Sequence, residues 1–274
     1  AGVNAGANIT SGGNYNVVVG DEAGTAITTG DNNVAVGYAA LDANTTANHN
    51  VAIGGFALGS NTTGATNTAV GGESMTANTE GGNNVALGYQ SLHDLTTGSN
   101  NVAIGYQALS TEDAHGDNVA VGYQSLKTLN AGADAFNTAV GYQSGVSVTT
   151  GIENVLIGAL AGDALTDADH NVALGYSALG AAITSDGNTA IGRYALLSDT
   201  RGNLNVAVGR DALRAQNMGS DLDSYNTAVG ALAGTAVTTG VQNVLIGGLA
   251  GDALTTGSDN VAIGKDALSA DTLG

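Results

Sequence analysis

The sequence predicts an all-β fold, a parallel β-solenoid of about fifteen 17-residue coils, and three observations carry that expectation. The string Asn-Val-Ala-Val-Gly and its close variants recur fifteen times, and twelve of the fourteen intervals between the leading asparagines are 17 residues. Each copy sets β-branched residues and glycine at fixed places, and both are poor helix formers. The 274 residues include 43 Gly and no Pro, although proline normally makes up about 5%. Proline has no place where nearly every N–H pairs with an adjacent coil. One copy is long enough for one coil, and stacked coils bury a core that no single copy can.

With the asparagine as position 0, the copies start at Asn16, Asn33, Asn50, Asn67, Asn84, Asn101, Asn118, Asn137, Asn154, Asn171, Asn188, Asn205, Asn226, Asn243 and Asn260. A strand of four or five residues, a glycine turn, a second short extended stretch and a polar turn fill one copy. Asparagines such as Asn33, Asn50, Asn84, Asn101 and Asn118 are expected to stack about 4.8 Å apart, their amides bonding along the stack. Position 4 is glycine in all fifteen copies; Gly37, Gly54, Gly88, Gly105 and Gly122 exemplify a corner that needs positive φ. Position 1 is Val or Thr and position 3 is Val, Ile or Leu; both are assigned to the coil interior. Position 2, Ala in twelve copies, is then the outward residue. An apolar outward face favours a second chain packed against it, most simply in a parallel homotrimer, with a monomeric solenoid that has an alanine-lined flat face as the alternative.

Core filling shifts between two kinds of copy. Position 8 is Leu or Met in ten copies. Where it is glycine (Gly24, Gly145, Gly162, Gly234, Gly251), an aliphatic follows at position 11: Ile27, Val148, Leu165, Val237 and Leu254. Three runs of glycine-type copies begin after an aromatic, at Tyr15, Phe136 and Tyr225. The chain therefore reads as one repeat domain over 1–274, with a partial repeat at 1–15 and sub-modules 16–136, 137–225 and 226–274. Ala1-Gly2 fits positions 3 and 4 of that partial repeat, and neither end carries a polar cap. The uncapped ends imply either further chain or protomers joined end to end in a filament.

Composition excludes several function classes. Six Lys+Arg against 24 Asp+Glu give a net charge of −18, which opposes nucleic acid and anionic membrane surfaces as partners. No apolar run reaches about 18 residues, so no membrane insertion is expected of this segment. Cysteine is absent, and with it disulfides and thiolate metal sites. No catalytic, phosphate-cradle or zinc motif occurs, so the protein is not expected to be an enzyme or to bind a cofactor. His49, His93, His115 and His170 are scattered over different repeat positions and read as solvated turn residues. The pairs Asp167/Asp169 and Asp221/Asp223 are the Ca²⁺ candidates, set against ordinary surface charge.

Two arrays suggest binding surfaces. Position 5 carries an uninterrupted run of Tyr89, Tyr106, Tyr123 and Tyr142, beside Gln90 to Gln143 at position 6. Stacked rings there are a candidate platform for glycan or protein, set against a ladder that packs on itself. The Thr-Thr arrays near positions 12 and 13 suggest ice binding. Adjacent threonines on a strand, however, point to opposite faces.

The motif, as in Asn-Val-Ala-Ile-Gly-Tyr-Gln-Ala-Leu from Asn101 to Leu109, resembles the head repeats of trimeric autotransporter adhesins. It is also similar to repeats in phage tail fibres and bacterial surface proteins, and the resemblance covers essentially the whole chain. It implies a trimeric parallel β-roll or β-prism displayed extracellularly or at the cell surface for adhesion. The expected partners are further copies of the chain and a cell-surface glycan or protein receptor. The expected function is a non-enzymatic structural and adhesive fibre segment, with the end-to-end filament protomer as the alternative and an ice-binding protein as a third.

Overall fold

A computed structural model describes residues 2–274; Ala1, assigned above to position 3 of the partial repeat, lies outside them. The described chain is all-β, a parallel β-solenoid with one short strand in each full coil, a second in two of them, and no helix. It divides into two compact units, Ala1–Phe136 and Asn137–Gly274.

In the first unit the strands are β1 (Val17–Val19), β2 (Val34–Val36), β3 (Val51–Ile53), β4 (Thr68–Val70), β5 (Val85–Leu87), β6 (Val102–Ile104) and β7 (Val119–Val121). Each pairs in parallel with the next, like position against like: Val102 faces Val119 and Ala103 faces Ala120. The second unit continues with β8 (Thr138–Val140), β9 (Val155–Ile157), β10 (Val172–Leu174), β11 (Thr189–Ile191), β12 (Gly202–Asn203), β13 (Val206–Val208), β14 (Leu222–Asp223), β15 (Thr227–Val229), β16 (Val244–Ile246) and β17 (Val261–Ile263). Its main ladder keeps the same register, while β12 and β14 form a separate two-residue parallel pair. The partial repeat before Asn16 docks as a coil, with the Gly6 N–H on the Ala23 carbonyl and the Glu22 N–H on Val3.

The strands of the main ladder are three residues long, and turns replace the second extended stretch expected from the sequence in all but the two coils that carry β12 and β14. Three positions per coil explain this. Positions 6, 8 and 16 all have φ near +60°, held by residues as varied as Gln107, Leu109 and Asp117. A left-handed non-glycine residue costs about 1–3 kcal/mol, so each persists only because coil-to-coil bonds over-determine it. The position-4 glycines have φ between 125° and 146°. A Cβ on Gly37 would lie 2.5 Å from the carbonyl oxygen of Gly54. Glycine is needed at this corner for both conformation and space.

The two strand faces are the reverse of those assigned from the sequence. Position 2 points inward: Ala35, Ala52, Ala69, Ala86, Ala103 and Ala120 are fully buried. Positions 1 and 3 point outward, with Val17 51% and Leu87 45% exposed. The cause is the narrow interior. Beside the buried Asn of position 0, Ala or Ser of position 7 and Leu of position 8, a branched residue at position 2 has no room. Where position 2 is large, position 8 is glycine: a Cβ on Gly162 would lie 2.8 Å from both Leu156 and Leu165. Positions 8 and 11 do fill the core, as Leu109, Ile27, Leu165 and Leu254 are fully buried. Position 11 also holds buried Asn44, Asn61 and Asn78, whose amides bond one to the next at 3.0 and 2.8 Å.

Gly105→Val is expected to lower stability by about 3 kcal/mol from backbone strain and overlap with Gly122; an unchanged melting temperature would contradict the corner. The face reversal has its own test. Ala103→Val should cost about 1–3 kcal/mol by overpacking, and Val102→Thr no more than about 0.5 kcal/mol as a surface change. The opposite ranking in denaturant melts would restore the original faces.

Candidate binding surface

The outward columns of the strands run down each unit as an apolar face. Ile53, Val85, Leu87, Leu174, Val229 and Ile246 are each more than a third exposed. Monomeric proteins rarely expose a contiguous apolar surface of this kind.

Beyond the glycine corner lies the tyrosine column. Tyr89 and Tyr106 stack with ring centroids 5.8 Å apart and planes 20° apart; Tyr106 and Tyr123 stack at 5.2 Å and 9°. Their faces are turned to one another, so ring edges and hydroxyls, not faces, meet solvent. Tyr142 lies in the second unit, 52% exposed. The glutamines form a parallel amide ladder: Gln124 Nε2 donates to Gln107 Oε1 at 3.0 Å, Gln107 to Gln90 at 2.9 Å, and Gln90 to Glu73 at 2.8 Å. Tyr89 also donates its hydroxyl to Glu73, and partial burial followed by that carboxylate raises its pKa above 10.0. Beside the amide ladder, an open groove of about 290 Å³ is lined by Gln90, Gln107, His93, Asp94, Ser110, Thr111 and Lys127. Lys127 is the sole Lys or Arg between residues 1 and 136.

The polar turn carries a second backbone-capping ladder that the sequence reading missed. At position 15, Asp31, Asp169 and Asp186 each accept a backbone N–H from the preceding coil at 2.6–2.8 Å, and Asp134, one place later in a lengthened coil, accepts one at 2.9 Å. Asn48, Ser99, Asn203 and Ser258 do the same. Asp169 is thus a rung of this ladder. Asp221 accepts from Thr184 and Asp223 from Tyr225. Among the described residues, three potential metal-ligating groups converge only at Glu112, Asp113 and His115, within 4.8 Å of one another. Two carboxylates and one imidazole fall short of the roughly six to eight oxygens that Ca²⁺ takes.

Glu112 has a visible structural task. It is fully buried at position 11, and its oxygens accept the backbone N–H groups of His115 at 3.1 Å and Ala131 at 3.3 Å. Asp199 repeats the arrangement with Gly202 at 2.9 Å, Met218 at 3.1 Å and the Gln216 amide at 2.5 Å. Both acids sit in the coil before a lengthened one, whose intervals are 19 and 21 residues. They take N–H groups that the extra residues displace from the regular ladder. The threonine hydroxyls are also engaged: Thr28 donates to the Thr45 carbonyl, Thr62 to Thr79 and Thr238 to Thr255. His49 and His170 occupy left-handed turn positions, and His93 bonds Asp94 at 2.6 Å.

Comparison with known protein families, with curated proteins and with solved structures finds no match to this chain.

Burial holds the Glu112 carboxyl above its usual 4.5, against the opposing pull of the His115 and Ala131 N–H groups. The folded state therefore binds this proton more tightly than the unfolded chain. Glu112's contribution to stability is present below about pH 4.5 and is lost as pH rises through its folded value. Glu112→Gln, which cannot titrate, should flatten the decline of melting temperature across that window. A variant that keeps the wild-type slope would show that Glu112 does not carry it.

Proposed function

We propose that the protein is a non-enzymatic structural and adhesive fibre segment, displayed outside the cell and assembled as a parallel homotrimer. The carrying observation is the largely apolar outward face of the strands, with Val, Ile and Leu at positions 1 and 3, and Thr in four copies at position 1, where a free-standing solenoid would carry polar residues throughout. The sequence reading placed the partner against alanine; the exposed face is instead the branched one, which buries more apolar area per coil. Parallel strands in like register present the same columns on every copy, so a closed rotation can bring the faces together around one axis. The tyrosine hydroxyls and the amide groove then lie off that axis as the receptor-facing surface, suited to hydrogen-bonding a glycan or protein. The resemblance to adhesin heads points the same way.

Native mass measurement tests this reading. The expected result is a discrete trimer that Ile104→Asp with Val121→Asp converts to folded monomer. A wild-type monomer would sink the proposal, and a ladder of large polymers would favour the end-to-end filament instead.

A further inference from the structure

Four of the six Lys and Arg residues lie between Arg193 and Arg214, in two successive coils of a chain with net charge −18. Two of them lie over one tyrosine, and a third joins them through a shared carboxylate. The Arg193 guanidinium lies 4.4 Å from the centroid of the Tyr194 ring and Arg214 5.1 Å from it. Arg193 Nη2 also donates to the Tyr194 hydroxyl at 3.3 Å, and Tyr176 meets the Tyr194 ring edge-on at 5.5 Å. The buried Asp211 pairs with Arg210 at 2.9 Å and with Arg214 at 3.3 Å. Arg193 has no carboxylate partner among the described residues. Three guanidiniums are thus set against one carboxylate.

The fold does not require this arrangement. Arg193 and Arg210 both occupy position 5, where most other coils carry Tyr, Gly or Ala and two at the ends of the ladder carry Asp21 and Lys265, and they stand on neighbouring rungs about 4.8 Å apart. Like charges directly across neighbouring strands repel. An anion held between them removes that repulsion. Stacking against Tyr194 also restrains the guanidinium planes in advance, which lowers the cost of ordering them on binding.

We infer that the Arg193–Arg210–Arg214 cluster is a binding site for the carboxylates of an acidic polysaccharide. The cluster supplies N–H donors at the strand spacing, close to the length of one pyranose ring, so successive uronic acid residues can meet successive rungs. A nucleic acid duplex carries its phosphates more densely and meets stronger repulsion from the acidic remainder of the chain. The inference rests on the binding role proposed above and names its ligand chemistry. It requires neither the trimer nor the apolar face, so native mass and ligand binding report separately on the two.

The test is binding of the full chain to immobilised polygalacturonate, with its neutral methyl ester and single-stranded DNA as comparators. Binding should weaken with salt and fall about tenfold in Arg193→Gln, a variant that leaves both partners of Asp211 in place. It should fall further in Arg193→Gln with Arg214→Gln. Lys265→Gln, which removes a charge from the same position of another coil, should bind as wild type does. The inference is overturned if the wild type fails to bind at low salt, or if the arginine variants bind equally well. Equal binding to the methyl ester or to DNA also overturns it, as does a melting temperature that falls with binding unchanged, which would mean that the arginines only brace Tyr194.

Discussion

Within each unit, every full coil is tied to the next through one asparagine side chain. Asn101 Oδ1 accepts the backbone N–H of Asn118 at 3.1 Å, while its Nδ2 donates to the carbonyl of His115, fourteen residues on, at 3.0 Å. The same pair of bonds recurs at Asn50, Asn67 and Asn84 in the first unit, and at Asn154, Asn188 and Asn243 in the second. One bond fixes the distance between coils and the other closes a coil on itself. Both satisfy buried groups, and a buried donor or acceptor left alone costs about 1–3 kcal/mol. Asparagine is the shortest side chain that carries its acceptor and its donor on separate atoms, so one residue can reach the next coil and its own coil at once. The left-handed turns follow from that constraint, because a coil pinned at positions 0 and 14 has few residues in which to turn back.

The repeat, its period, the parallel register, the glycine corner and the exchange of core volume between positions 8 and 11 were legible in the sequence, because each is a statement about periodicity or volume. The orientation of the strand was not. Alternation alone cannot say which set of residues faces in when both are apolar, and the larger set was assigned to the core. The correct signal was nevertheless present: Val18, Leu156 and Leu245, the three copies without alanine at position 2, coincide with Gly24, Gly162 and Gly251. A residue that grows when a core residue shrinks is in the core. The reversal also changes the exposed face, which is branched, wider and more apolar than one of alanine.

The polar residues were harder to read. Asp31, Asp169 and Asp186 look like solvated loop charge, yet each caps the main chain of a neighbouring coil; nothing in a one-dimensional pattern separates a capping carboxylate from a free one. Glu112 and Asp199 are clearer in retrospect, since each is an acid at the core position of the coil before an irregular interval. The tyrosine run was legible as a column, but the orientation of its rings was not. Stacking the faces along the column leaves hydroxyls and ring edges toward solvent.

Residue-resolved amide hydrogen exchange tests the asparagine ladder most directly. The N–H groups of Asn67, Asn84 and Asn101 lie just outside the three-residue strands, where an ordinary turn amide exchanges by local fraying. With the side-chain acceptor of the previous coil in place, they should exchange as slowly as the strand amides of Val85 and Val102, through cooperative opening alone. Exchange at the rate of the exposed turn amides would contradict the account.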